Sequence, residues 1–84
     1  MQNNKVYIVC KVSLDGCHIL SVGDTFTDVK SAVGRAIVID EGEQLGLSKI
    51  RLNKDDVIKS LTEFTPAEYW EPGVAAAIFA RALD

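Results

Sequence analysis

Apolar residues occupy every second position from the start of the chain: Val6, Ile8, Cys10, Val12 and Leu14. This is the period at which the side chains of an extended segment share one face. A second run rich in β-branched residues, ending at Val22, follows Asp15-Gly16. Asp-Gly tolerates the positive φ that both centres of a two-residue type I′ turn require. Residues 6–22 therefore read as a β-hairpin.

That turn sets a register, with Leu14 opposite Cys17, Val12 opposite Ile19 and Cys10 opposite Ser21. One face then carries Val6, Ile8, Cys10, Val12, Leu14, Cys17 and Ile19 and is almost wholly apolar. The other carries Tyr7, Val9, Lys11, Ser13, His18 and Leu20 and is mixed. A lone hairpin is marginal in water, so the rest of the chain is expected to roof the apolar face.

Beyond the turn Val22-Gly23-Asp24-Thr25 the period changes. Phe26, Val29, Val33, Ala36 and Ile37 recur at spacings of three and four, the stripe of an amphipathic helix. Thr25 or Thr27 is the expected cap, with Asp28 adding a charge suited to a helix start. The β-branched Ile37-Val38-Ile39 fits either a helix end or a strand, and Asp40-Glu41-Gly42 closes the segment. Residues 43–48 read as a loop, and Lys49 to Leu52 alternates as a short third strand does.

Asn53 is a good N-cap, and Asp55 and Asp56 favour the first turn of a helix whose inner face holds Val57, Ile58, Leu61 and Phe64. Thr65-Pro66-Ala67-Glu68 has the form of a capping box opening a second, short helix. Pro72 stops it. Residues 73–83 read as a last helix with Val74, Ala75, Ile78 and Ala82 inside. The expectation is one α+β domain spanning 1–84. It has a small antiparallel sheet, the N-terminal hairpin plus a short third strand, covered on one face by three to four helices in the order ββαβααα.

Composition narrows the functions. The 84 residues carry a net charge of −3, with 9 basic and 12 acidic side chains. Affinity for nucleic acid comes largely from Lys and Arg on phosphates, and no basic stripe is present. The helix pair read over 54–70 resembles a helix-turn-helix in outline. Its second helix would start on Ala67-Glu68-Tyr69-Trp70 rather than on the Arg, Lys, Asn or Gln of a reading helix. A nucleic-acid-binding regulator is thus the alternative rather than the first reading. No apolar run reaches the length of a membrane span and no leader pattern opens the chain, so a cytoplasmic protein is expected.

Candidate chemistry is sparse. Cys10 and Cys17 are expected to be free, buried thiols, because they fall several rungs apart. Cys17 and His18 are adjacent in sequence, but neighbours in a strand point to opposite faces. A thiol-dependent enzyme or redox sensor is accordingly the weakest reading. The acids Asp40, Glu41 and Glu43 lack the spacing of a calcium loop, and the glycines form no phosphate-binding pattern. No catalytic, cofactor or metal residues are assigned.

The stretch that points outward is Glu68-Tyr69-Trp70-Glu71, where two aromatic rings of the kind that anchor interfaces sit between acids. The expected function is a small non-catalytic protein–protein interaction module, forming a homodimer, that binds and modulates a larger protein. It would act in the manner of a phage- or mobile-element-type inhibitor or accessory protein.

Overall fold

Three strands lie side by side over seven or eight residues each. The computed structural model describes residues 5–44, 54–63 and 67–82. Their elements are β1 (Lys5–Val12), β2 (Ile19–Phe26), α1 (Val29–Gln44), α2 (Lys54–Glu63), β3 (Ala67–Tyr69) and β4 (Ala76–Ala82). The sheet order is β2-β1-β4-β3 and every neighbouring pair is antiparallel. The order among the described residues is thus ββααββ. It retains the α+β class but has four strands and two helices, where three to four helices and the order ββαβααα were expected.

The largest departure is at the C-terminal end, where residues 76–82 form β4 and not a helix. The run from Val74 to Ala80 is apolar at every position. A strand buried on both faces needs such a run, and it has no period to separate it from a buried helix. Pairing decides the matter. Seven rungs bind β4 to β1, from Lys5↔Ala82 to Lys11↔Ala76, and the low strand preference of alanine yields to that burial.

β3 pairs with β4 through Ala67↔Ala80, Glu68↔Phe79 and Tyr69↔Ile78, so the local capping signal loses to a sheet edge. With 67–69 in a strand, segment 54–70 holds one helix among the described residues, and the helix-turn-helix outline is gone. The third strand expected at 49–52, the cap at Asn53 and the inner-face residue Phe64 lie outside the described residues.

The hairpin forms, but its bend differs. Val12 faces Ile19 as expected, whereas Cys10 faces Val22 and Lys11 faces Ser21. Leu20 is the extra residue of a bulge, and a second irregularity lies between Ile8 and Cys10. Residues 14–17 form the loop, so Leu14 and Cys17 are not a cross-strand pair. The Ser13 N–H donates to the His18 carbonyl (2.9 Å) and the Gly16 N–H to the Ser13 carbonyl (3.0 Å).

Asp15 organises this loop. Its Oδ1 accepts the Ser13 hydroxyl and the Cys17 N–H (2.9 Å), and these bonds hold its carboxyl below the usual range. The tight two-residue turn is displaced because side-chain acceptors satisfy the loop's backbone donors. Cys17 is left exposed, against the expectation of a buried thiol, while Cys10 is free and buried.

Gly16 has φ 78°, and the Leu14 carbonyl accepts the Gly73 N–H at 2.8 Å. Pro72 and Gly73 (φ 92°) form the centre of a turn closed by Val74 N–H to the Glu71 carbonyl (3.2 Å). Proline followed by a positive-φ glycine is the type II pattern. A Cβ on Gly16 would meet Pro72 Cγ at 3.1 Å. Gly16→Ala is therefore expected to cost about 1–2 kcal/mol, from the left-handed backbone and the crowded contact together. Urea unfolding of the variant checks it.

Both helices lie on one side of the sheet, which is not the side that alternation favoured. Tyr7, Val9, Ile78 and Ala80 pack against Ala32, Val33 and Ala36 of α1 and against Val57 and Leu61 of α2. The mixed face is roofed because its polar members find partners and its alanines let the helices approach. Lys5 is buried there, and its Nζ donates to the Leu61 carbonyl at 2.9 Å. That carbonyl belongs to the last turn of α2, where acceptors are unsatisfied and a cation is favoured.

The cap of α1 is Asp28, not a threonine. Its Oδ2 accepts the Ser31 N–H and hydroxyl at 2.9 Å each, which lowers its pKa. Residues 37–39 are helical, and α1 continues through Asp40-Glu41-Gly42 to Gln44. Asp40 is buried, and its Oδ1 accepts the Ala75 N–H at 2.9 Å, tying α1 to the entry of β4. Among the described residues no helix is long and apolar enough to cross a membrane.

Candidate functional site

With both helices on one side, no helix or strand among the described residues covers the other side of the sheet. Cross-strand pairs share a face, so the rungs Val22–Cys10–Ala77 and Thr25–Ile8–Phe79–Glu68 lie on this side. Val12 with Ile19 and Val6 with Arg81 extend it at the two ends. This is the apolar face that alternation identified, and neither of the described helices roofs it.

Its middle is hollow. Cys10 and Ala77 are small and buried, while Ile19 and Val22 stand up on β2 and Phe79 on β4. The result is an open groove of about 290 Å³ lined by Ile8, Cys10, Ile19, Val22, Phe79 and Arg81. Burial pushes the Cys10 thiol up, so the neutral thiol is favoured in this lining.

The groove's β4 wall is an aromatic and cationic stack. Trp70 meets Phe79 edge to face, with centroids 5.9 Å apart and planes at 87°. The Arg81 guanidinium stands 5.6 Å from the centre of the Phe79 ring, and its Nη1 donates to the Ala80 carbonyl at 3.0 Å. These contacts hold Phe79 upright. The Trp70 Nε1–H is buried and has no hydrogen-bond partner among the described residues.

The four residues singled out from sequence, Glu68, Tyr69, Trp70 and Glu71, run along β3 and into the following turn. Strand alternation separates the two rings. Trp70 packs on the open side with Ile8 and Phe79, and Tyr69 packs against the helix-side core. The Tyr69 hydroxyl donates to Glu71 Oε2 at 2.7 Å. Burial raises its pKa well above the ordinary value, and that bond and the charges of Glu71 and Asp40 add to the shift. Glu68 and Glu71 are exposed.

Ile8, Ile19, Val22, Phe79 and Arg81 were missed as surface residues. The alternation in β1 was the available signal, but it reports which residues share a face and not whether anything covers them. Cys17 and His18 lie exposed at the hairpin bend, where the Cys17 thiol approaches the Asp15 carbonyl (3.7 Å) and the His18 N–H donates to Ser13 Oγ (3.0 Å). Among the described residues no group of three or more His, Cys, Asp or Glu side chains is arranged to hold a metal ion. Comparison with protein-family models, with curated proteins and with solved structures finds no match to this chain.

Proposed function

We propose that the chain is a small non-catalytic interaction module that works by contact with a larger protein and modulates it, as inhibitors and accessory proteins of phages and mobile elements do. The observation that carries this reading is the open, apolar side of the sheet. Val22 and Ile19, on its β2 side, are 68% and 47% exposed, and Leu20, at the bulge between them, is 59% exposed. With Leu14, 41% exposed, they are four of the five large hydrophobics exposed among the described residues, and all four belong to the β1–β2 hairpin, a grouping of the kind that interaction sites show. The acidic rim of β3, with Glu68 and Glu71 flanking Trp70, supplies the polar border that interfaces use around an apolar centre. Both cysteines are free, which supports a reducing, cytoplasmic setting.

Affinity capture from the native host, read by mass spectrometry, tests the proposal. A protein retained by the wild type and by the control Val38→Glu, on the outer face of α1, but lost with Glu68→Lys combined with Trp70→Ala, supports it. The same captured set for every variant, each with an unchanged circular dichroism spectrum, removes it.

A further inference from the structure

Asp15-Gly16 is the one Asp-Gly step in the chain, and no Asn-Gly occurs. Such a step is chemically reactive as well as turn-forming. Glycine puts no side chain beside its amide nitrogen, so that nitrogen can reach the carboxyl of the residue before it. We propose that Asp15 is a site of spontaneous isomerisation to isoaspartate, and that the native bend of residues 13–18 holds the reaction off.

The chemistry balances with water as the only other reactant. The Gly16 nitrogen attacks Cγ of the neutral Asp15 carboxyl, and an N–Cγ bond forms. The amide proton and the carboxyl hydroxyl leave as water, and a five-membered imide remains. Water then opens the imide at one of its two carbonyls. Cleavage of the new N–Cγ bond restores aspartate. Cleavage between the nitrogen and the main-chain carbonyl carbon of Asp15 leaves the chain running through Cγ, which is isoaspartate. The mass of the chain is unchanged.

The bend opposes the first step in three ways. The nucleophile is engaged, because the Gly16 N–H donates to the Ser13 carbonyl at 3.0 Å and that proton has to leave before the imide is complete. The electrophile is held as well. Asp15 Oδ1 accepts the Ser13 hydroxyl and the Cys17 N–H (2.9 Å), so the carboxyl gives up both bonds when it rotates. The same bonds favour its ionised form, which lacks the hydroxyl that has to leave. Ser13 Oγ is in turn fixed by the His18 N–H at 3.0 Å.

The third restraint comes from outside the loop. The Gly73 N–H donates to the Leu14 carbonyl at 2.8 Å, and Pro72 Cγ lies 3.1 Å from where a Gly16 Cβ would stand. The backbone on both sides of Asp15 is thus clasped to the turn after β3. Isomerisation inserts one more atom into the main chain between Leu14 and Gly16 and moves the carboxylate on to Cα. The spacing that lets Leu14 reach Gly73 while Gly16 reaches Ser13 is then lost. The clasp that loosens is the one next to Trp70 and Glu71 in sequence.

Ageing of the full chain at neutral pH tests the inference. The tryptic peptide of residues 12–30 is followed by chromatography and electron-transfer fragmentation, which mark isoaspartate at unchanged mass. Folded wild type should isomerise at Asp15 roughly tenfold or more slowly than the same chain held unfolded in guanidinium chloride, because closure in the fold waits on local opening. Ser13→Ala removes one donor from Oδ1 and keeps the Ser13 carbonyl. It should isomerise severalfold faster than wild type with an unchanged circular dichroism spectrum.

Should Ser13→Ala unfold, amide hydrogen exchange of the wild type decides. Protected Gly16 and Cys17 amides support the inference, and exchange at the rate of an open chain overturns it. A folded wild type that ages as fast as the unfolded chain also overturns it, as does a folded Ser13→Ala that ages like wild type. An unfolded chain that forms no isoaspartate at Asp15 removes the site altogether.

Discussion

Ile78→Ala is expected to destabilise the fold by about 2–5 kcal/mol. Ile78 is fully buried at the centre of the sheet, facing Val9 on one side and Tyr69 on the other, with both helices above it. The truncation removes buried methyl groups and leaves a cavity that a sheet pinned by pairing on both flanks collapses into poorly. Domains of this size are stable by only about 5–15 kcal/mol, so much of the margin goes. Urea unfolding should show a lower midpoint at an unchanged slope. A cost below about 1 kcal/mol would mean that β4 is not the central strand described.

Asp40→Ala should cost about 2–3 kcal/mol, which lowers the thermal midpoint by about 10–20 °C in a domain this small. Asp40 is one of two polar side chains buried in the described structure, the other being Lys5. Its Oδ1 holds the Ala75 N–H at the point where the chain enters β4. Alanine strands that donor in an apolar setting, since Ala75 is itself buried. Asp40→Asn keeps an oxygen acceptor in the same place and should recover much of the loss. Equal losses in the two variants, measured by differential scanning calorimetry, would show that charge and not the hydrogen bond sets the role of Asp40.

These two positions also show where the chain was hard to read. Asp40 looked like part of a solvated turn because Glu41 and Gly42 follow it, yet α1 continues past it and buries its carboxylate. Ile78 fell on the inner side of both a helix and a strand, because the run around it is apolar throughout. Tyr69 and Trp70 stood out as interface-type residues, and their neighbours in sequence offered a capping box. Only pairing with β4 sets the two rings on opposite sides of the sheet. Local signals of about 1 kcal/mol, such as a cap or a turn preference, are overruled when a strand position buries several side chains at once.

The alternation from Val6 to Val12 by itself determined that a hairpin forms and which residues share each side of it, because side-chain direction in an extended chain is a local property. The spacing of Val33, Ala36, Val57 and Leu61 likewise determined two helices with apolar stripes. Which side of the sheet those helices cover is not local. It depends on where Lys5 finds the Leu61 carbonyl, on whether alanines let a helix approach, and on β4 entering between β1 and β3. Tertiary structure therefore decided that the mixed side became the core and the apolar side stayed open, and with it where this protein has a surface to offer.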